Sequence, residues 1–404
     1  MATEKQVIAV FFGGRSPEHD VSIVTGLQAA EALDPELYEV IPVYITARGE
    51  MLTGQDLLSR DTYIPGPSAR ANLTDVRLDL TPGDRGRLMT TGGSLFQRAK
   101  VIEFDTALLA FHGLYGEDGR LQGALEMADI AYTGMRAFAS TITMDKVATK
   151  RLLADTDIAM LPFREIKRPA QGLLLAEEEL KAQVGDFAFP CIVKPSHLGS
   201  SIGVARVNTM EELSAVLPGL FKYDTAAILE PFVENMVEYN LSVARIAGEL
   251  RTSAIEKPKR AEELLDFKQK YLSGGGKEAG SKSPGGGRAS EGMLSLTREL
   301  NPELPTEVEE RLRAWACTAY DHFHGTGAPR FDFIGNEATG EFWLNEVNPC
   351  PGSFGYFLWE AAEQPMLFPD LLEHLISEAA EQRAAAELPD DPTPEDARLF
   401  PRRS

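Results

Sequence analysis

Cysteine is scarce in this 404-residue chain: Cys191, Cys317 and Cys350 are the whole complement, and no C-x-x-C pair occurs. A disulfide framework is therefore excluded, and a reducing compartment is expected. No apolar run approaches the roughly 18 residues of a membrane span, and the first six residues carry no signal-peptide pattern. A soluble cytoplasmic protein is the expectation. Basic residues are also in deficit, 40 Lys and Arg against 61 Asp and Glu, for a formal charge of −21. Such a chain lacks the basic footprint of a nucleic-acid or anionic-membrane binder, although a local basic pocket for a small anion remains compatible with it. Three familiar nucleotide signatures are missing as well: no G-x-G-x-x-G follows the first strand, no G-x-x-x-x-G-K-[ST] occurs, and the protein-kinase set is absent.

What is present is length enough for two to three domains at roughly 100–200 residues each. The first third alternates strand and helix signals, with strands over Val7–Phe12, Val40–Ile45 and Thr106–Phe111 and a helix start at Ser16-Pro17-Glu18. That alternation predicts a parallel α/β domain. The middle is richer in strands and predicts α+β organisation. Met144-Asp145-Lys146 opens a helix, and strands follow at Phe189–Lys194, Ile202–Val207, Ala226–Glu230 and Tyr239–Ile246. Residues 274–292 hold eight glycines in 19 positions and only two apolar residues, so they cannot bury a core and predict a mobile loop, either an active-site lid or an insertion without a role. Thr306-x-x-Glu309 has the form of a capping box before a helix with Leu312, Trp315, Ala319 and Phe323 on one face. Phe331–Ile334 and Glu341–Val347 predict a hairpin, and the chain after about 380 turns polar.

Four groups of residues carry chemistry. Lys194 ends a strand before a Gly/Ser loop, whose backbone N–H groups suit phosphate oxygens while the lysine adds positive charge. The same loop contains G-x-S-x-G at Gly199–Gly203, the form of a hydrolase nucleophile elbow built on Ser201, but an elbow needs a helix directly after it and the sequence here reads as strand. Glu346 and Asn348 lie two apart on a strand and so face one way. With Asp332 they make a set of hard oxygen ligands suited to Mg²⁺ shared with phosphates, or else a solvated charged strand. Arg330 shares a face with Asp332 by the same period. His112 ends a strand and opens a Gly-rich loop, the position where α/β sheets place ligands; a tight structural turn is the alternative. Lys270-Tyr271 stands at the root of the glycine-rich segment and could be carried onto a substrate, or be an ordinary exposed pair. His322-x-His324 is not a metal pair, because positions i and i+2 diverge on a helix.

Taken in order, these stretches resemble the D-alanine–D-alanine ligases of the ATP-grasp superfamily. The resemblance is carried by F-G-G-R-S-P-E-H-D-V-S from Phe12, H-G-L-Y-G-E-D-G-R-L-Q-G-A-L-E from His112, Tyr132-Thr133-Gly134, Met144-Asp145-Lys146 with Lys150, V-K-P-S-H-L-G-S-S-I-G-V from Val193, Glu230 with Glu238, Lys270-Tyr271-Leu272-Ser273, Arg330-Phe331-Asp332 and N-E-V-N-P-C-P-G from Asn345. It implies a three-domain ATP-grasp fold, mixed α/β and α+β, closing around ATP. The implied divisions are an N-terminal parallel α/β domain at 1–143, a central subdomain at 144–237, a C-terminal subdomain at 238–380 with a lid at 272–292, and a tail at 381–404. It further implies Lys146, Lys194 and Lys270 at the phosphates, with Ser200 and Ser201 in the phosphate loop. Glu230 would stand at the adenine edge, Phe232 and Val233 beneath the base, and Glu238 on the ribose. Asp332, Glu346 and Asn348 would hold two Mg²⁺ ions, with Mn²⁺ as a substitute. Glu18 and His112 would stand at the first substrate. Glu18, Ser200 and Tyr271 would form a hydrogen-bonded trio, with Tyr271 at the substrate as well. Arg330 and the Gly352 N–H would stabilise the tetrahedral intermediate. The implied reaction activates a carboxylate as its acylphosphate and passes it to an amine, in peptidoglycan precursor synthesis. The implied partners are amino-acid substrates and a second copy of the chain, with no nucleic acid and no membrane.

One position departs from the pattern. Phe357 stands where a small hydroxyl residue is expected to hold the second substrate's carboxylate, and an aromatic ring cannot donate that bond. The same chemistry on a different amine acceptor is therefore the nearest alternative. A serine hydrolase acting through Ser201 and a non-catalytic nucleotide-binding regulator are the alternatives of other classes.

Overall fold

The computed structural model describes residues 5–63, 72–91, 100–199, 203–259 and 298–387. The first sheet takes eight strands: β1 (Gln6–Gly13), β2 (Tyr38–Ile45), β3 (Met51–Thr53), β4 (Thr74–Asp79), β5 (Gly86–Thr90), β6 (Val101–Phe104), β7 (Thr106–Leu109) and β8 (Ala131–Tyr132). Their order is β6-β5-β4-β3-β2-β1-β7-β8. The stretch β2-β1-β7-β8 is parallel, as expected, and β3 to β6 extend it as an antiparallel meander that the sequence reading lacked. From Ile8 to Phe12 β1 is wholly buried, which is why it is apolar without alternation. The first helix, α1 (His19–Ala32), begins three residues after the expected Ser16 cap. Ser16 instead uses its hydroxyl to accept the Glu18 N–H at 3.1 Å and its carbonyl to accept the His19 N–H, closing a turn before the helix. Helix α2 (Arg120–Met127) follows the His112 loop.

Two short helices lead into the second sheet. Helix α3 (Ala137–Met144) stops at Asp145, whose carboxylate accepts the N–H groups of Val147 and Ala148 and so starts α4 (Lys146–Leu152) in a new direction. The second sheet is antiparallel, β11-β10-β12-β9, from β9 (Arg164–Lys167), β10 (Cys191–Pro195), β11 (Ala205–Val207) and β12 (Ala226–Pro231). Helices α5 (Glu177–Val184) and α6 (Met210–Leu220) cover it around Leu180, Leu213, Leu217 and Phe221.

The third sheet runs β16-β15-β13-β17-β18, with β14 paired to β13. Its strands are β13 (Met236–Ile246), β14 (Glu249–Thr252), β15 (Glu256–Pro258), β16 (Arg298–Leu300), β17 (Arg330–Asn336) and β18 (Glu341–Asn348). The helix Thr306–His322 packs Leu312, Trp315, Ala319 and Tyr320 onto it. The expected capping box is not formed. Pro305 occupies the cap position without a side-chain bond, and Glu309 pairs with Arg313 one turn on. The last described helix, Phe368–Ala386, runs past residue 380, because Ala, Glu and Arg keep it helical until the prolines beyond. Its Leu371, Leu372, Leu375 and Ile376 share one core with Ile8, Val10 and Leu108, so this helix completes the core of the first sheet. No described helix is long and apolar enough to cross a membrane.

Candidate active site

The lysine end of the cleft is built from α4 and β10. The Lys146 Nζ donates to the Leu198 carbonyl at 2.7 Å and lies 3.2 Å from Glu346 Oε2, so one buried ammonium ties the loop after β10 to the third sheet. One helical turn on, Lys150 Nζ meets Glu230 Oε1 at 2.8 Å and donates to the Leu161 carbonyl at 3.0 Å. Lys194 Nζ meets the other Glu230 oxygen at 2.8 Å and donates to Asn345 Oδ1 at 2.7 Å. Burial works to raise the Glu230 carboxyl, but Lys194 and Lys150 overcome it and hold it below its ordinary value. Burial also pulls Lys150 below its usual range against the Glu230 charge. His197 anchors the same loop. Its Nδ1 lies 2.7 Å from Asp224 Oδ1 and its Nε2 lies 3.4 Å from Asp145 Oδ2. Hydrogen bonds to these two carboxylates push the imidazole up to about 9.

The facing wall is the β17–β18 hairpin. Asp332 and Glu346 sit directly opposite each other, and Arg330 sits opposite Asn348. The register slips by one residue between Asp332 and Phe333, so Phe333 pairs with Leu344 and Asn345 has no rung of its own. Leu344 and Val347, three apart, are both buried in the core, and Asn345 and Glu346 both reach the cleft lysines. Arg330 grips both Asp332 oxygens, Nε to Oδ1 at 2.6 Å and Nη2 to Oδ2 at 2.7 Å. Burial raises Asp332 above the usual carboxylate range despite that grip. Burial opposes the charge on Glu346 too, but Lys146 and Lys194 hold its carboxyl down.

The residues of this wall fit a divalent metal. Among the described residues no three His, Cys, Asp or Glu form a metal-holding cluster, so the candidate set is two carboxylates and an amide. Asn348 Oδ1 is buried without a hydrogen-bond partner among the described residues, and two carboxylates face each other across one rung. An orphaned oxygen and a like-charge pair are both relieved by a hard cation.

The first sheet supplies the third wall. Gly113 has φ +77°, and a Cβ there would fall 2.2 Å from Ser16 Oγ and 2.7 Å from Glu18 Oε2, so no side chain is tolerated where the Glu18 carboxylate lies. The Glu18 oxygens also approach Gly199, the last described residue before Ser200: a Cβ on Gly199 would be 3.7 Å from each. His112 is buried, its Nε2 2.7 Å from Thr25 Oγ1. Burial holds its imidazole down at about 4, against a bond to the Cys350 backbone. Thr25 Oγ1 also accepts the Ser353 N–H at 3.1 Å. Ser353, Phe354 and Gly355 all have positive φ, between 52° and 62°, a left-handed turn that brings the segment after Gly352 against α1.

Structure and sequence reading meet unevenly here. Lys146, Lys194, Glu230, Arg330, Asp332, Glu346 and Asn348 converge. Glu18, His112 and Gly352 border the same cleft from the first sheet and the turn after β18. Phe232 and Val233 follow β12. Arg206 lies over the Phe232 ring at 4.0 Å, and Val233 joins Leu161 and Ile334 in a small apolar cluster. Glu238 lies on β13, two residues before Asn240. Ser200, Ser201, Lys270, Tyr271 and the lid 272–292 lie outside the described residues. The hydrolase alternative loses its context, because Gly203 is followed by strand β11 and not by a helix. Lys150's carboxylate bridge, the Lys194–Asn345 bond and the pairing of Arg298 with Glu256 at 2.9 Å were missed. Only Lys150 had a readable signal, its i+4 spacing from Lys146.

Comparison with known proteins bears on these walls together. The family models described as D-ala D-ala ligase N-terminus and C-terminus match residues 7–135, and residues 152–284 with 294–377. A D-alanine–D-alanine ligase of Wolinella succinogenes is 33% identical, over 93% of this chain and 94% of its own. One from Thermosipho africanus is 30% identical over 93% of each. The crystal structure of the D-alanine–D-alanine ligase from Helicobacter pylori superposes with a TM-score of 0.67 at 30% identity, covering 92% of this chain and 99% of that one.

Proposed function

The chain belongs to the D-alanine–D-alanine ligase family, and from that premise we infer that it joins two molecules of D-alanine in an ATP-dependent reaction, forming the dipeptide used in peptidoglycan precursor synthesis. The observation that carries this is the convergence, from three separate segments, of Lys146 and Lys194 with Asp332, Glu346, Asn348 and Arg330.

The charges suggest a division of labour. One D-alanine carboxylate attacks the γ-phosphate of ATP, the bond to the β-phosphate breaks so that ADP leaves and an acylphosphate forms, and Lys146 and Lys194 spread the negative charge that develops there. Phosphoryl transfer is favoured by Lys194 having two fixed acceptors, Glu230 and Asn345, which hold its ammonium in place without reorganisation. We propose Asp332, Glu346 and Asn348 as ligands of Mg²⁺, which when bound neutralises phosphate charge. The apolar cluster of Leu161, Val233 and Ile334 beside Phe232 suits the adenine base, with Glu230 at its edge and Glu238 at the ribose. Glu18 suits the ammonium of the first D-alanine, because it is a carboxylate against the glycine at the mouth of the His112 loop. His112, neutral at physiological pH by its burial, orients rather than carries charge. The second D-alanine's amine then attacks the acylphosphate carbonyl. Arg330 and the Gly352 N–H receive the developing oxyanion, and phosphate leaves. We propose Ser200, Ser201, Lys270 and Tyr271 as the remaining residues of the site, where exclusion of water would protect the acylphosphate from hydrolysis. We propose the divisions 1–143, 144–237 and 238–380 for the three domains, with the closing helix shared by the first. Action as a homodimer in the cytoplasm, where its three free cysteines stay reduced, completes the proposal.

Phosphate release measured with ATP, Mg²⁺ and D-alanine as sole amino acid tests the assignment. Turnover yielding the D-alanyl dipeptide is expected. No release with D-alanine, but release with another amino-acid pair, overturns the substrate.

A further inference from the structure

We propose that Arg298 binds the carboxylate of the acceptor amino acid and so determines that the acceptor is an amino acid rather than a simple amine. The proposal rests on the ligase reading above and concerns the acceptor side alone.

The cations of the cleft differ in the bonds they have to spare. Lys146, Lys150 and Lys194 each hold two partners at the nucleotide end. Arg330 spends its side-on fork on both oxygens of Asp332. Arg298, on edge strand β16, is different. Its Nη1 donates to Glu256 Oε2 at 2.9 Å, while its Nε is buried with no hydrogen-bond partner among the described residues. The Nε–Nη2 edge is the side-on fork that matches a carboxylate. A buried guanidinium N–H left unpaired is costly, and a ligand oxygen would satisfy it.

Position and orientation agree with that use. The other Glu256 oxygen accepts from Asn240 Nδ2 at 3.0 Å and lies 4.0 Å from Arg330 Nη1, so one carboxylate spaces the two guanidiniums across the cleft floor. The Arg298 guanidinium carbon lies 4.0 Å from the centre of the Phe357 ring. Phe357 thus provides a flat platform that fixes the plane of the fork. Phe357 follows the left-handed turn after Gly352, and the Leu358 carbonyl accepts the Ala254 N–H at 3.0 Å, which holds this segment against the strand region carrying Glu256. An acceptor whose amine reaches the Arg330 end can present its carboxylate to Arg298. Phe357 cannot bind a carboxylate itself, but it can orient the residue that does.

The test compares D-alanine with D-alaninamide as acceptor, with D-alanine as donor, ATP saturating and each product quantified by mass spectrometry. In Arg298→Gln the acceptor kcat/KM for D-alanine should fall roughly ten- to hundredfold, the range of a lost charged hydrogen bond. The value for D-alaninamide and the KM of the donor D-alanine should stay unchanged. Arg298→Lys should recover part of the loss, and Phe357→Leu should show a smaller loss in the same direction. Equal losses on acid and amide, or a changed donor KM, would mean that Arg298 only props Glu256 and the β15–β16 pair, and would overturn the proposal. If wild-type protein ligates an amino acid other than D-alanine, the substrate assignment fails, and the same comparison of that acid with its amide decides for or against Arg298.

Discussion

Replacing Glu230 by Gln probes the most buried charge bridge in the cleft. The carboxylate is 3% exposed and lies 2.8 Å from the ammonium of Lys150 and 2.8 Å from that of Lys194, and the Lys150 side chain is itself 3% exposed. Removing one member of a buried pair costs about 3–5 kcal/mol, because the partner charge is stranded. An upper bound follows independently. The stranded lysine can shed its proton, and from an unperturbed 10.5 that costs at most about 4.8 kcal/mol at pH 7, at 1.36 kcal/mol per unit. The expected loss is therefore about 3–5 kcal/mol at pH 7, or roughly ten degrees in the melting midpoint at two to four degrees per kcal/mol. The sign of the pH dependence is the sharper check. In the variant the folded state favours neutral Lys150 more than the unfolded chain does, so its stability rises with pH up to about 10.5. The gap to wild type should therefore narrow by up to about 1.36 kcal/mol per unit between pH 7 and 10. Thermal unfolding of both proteins across that range, with Lys150→Met added to the variant to recover the loss, measures it. A gap that stays constant with pH, or no loss at all, would refute the reasoning.

Two further outcomes follow from the same cleft. Lys194→Ala and Glu346→Gln should each lower ligase turnover at least about a hundredfold by removing charge at the phosphates; phosphate-release kinetics measure this, and wild-type-like activity in either would contradict the site. His197, raised to about 9 by Asp145 and Asp224, should contribute stability that is complete below its unfolded value near 6.5 and lost as pH rises through about 9; a His197→Gln variant whose alkaline unfolding curve matches wild type would contradict that.

Much of this arrangement was legible because it depends on short-range periodicity. Glu346 and Asn348 share a face by the two-residue period of a strand, and the expected hairpin, the Lys194 loop and the Asp145 break all follow from local chemistry. Helix starts were less legible. Ser16 and Thr306 are good capping residues, but Pro17 drew the first into a turn, and Pro305 took the second cap position by its fixed φ. Glu256 and Arg298 were invisible because their contact joins residues 42 apart through a strand pair, and charge alone does not announce a partner. The closing helix was readable as a helix. Its burial against β7 and β8 depends on tertiary placement that no local pattern encodes.

The slipped rung of the β17–β18 hairpin has a consequence for how the strand encodes information. Below the slip the even-numbered residues Phe342 and Leu344 face the core; above it the odd-numbered Val347 does. The strand thus carries a frameshift. Asn345 is the inserted character, surplus to the ladder, and its side chain serves Lys194 instead. Deleting it would restore an unbroken pairing frame with Asp332 still opposite Glu346, so the sheet could be written one letter shorter. The extra letter therefore belongs to the site rather than to the fold.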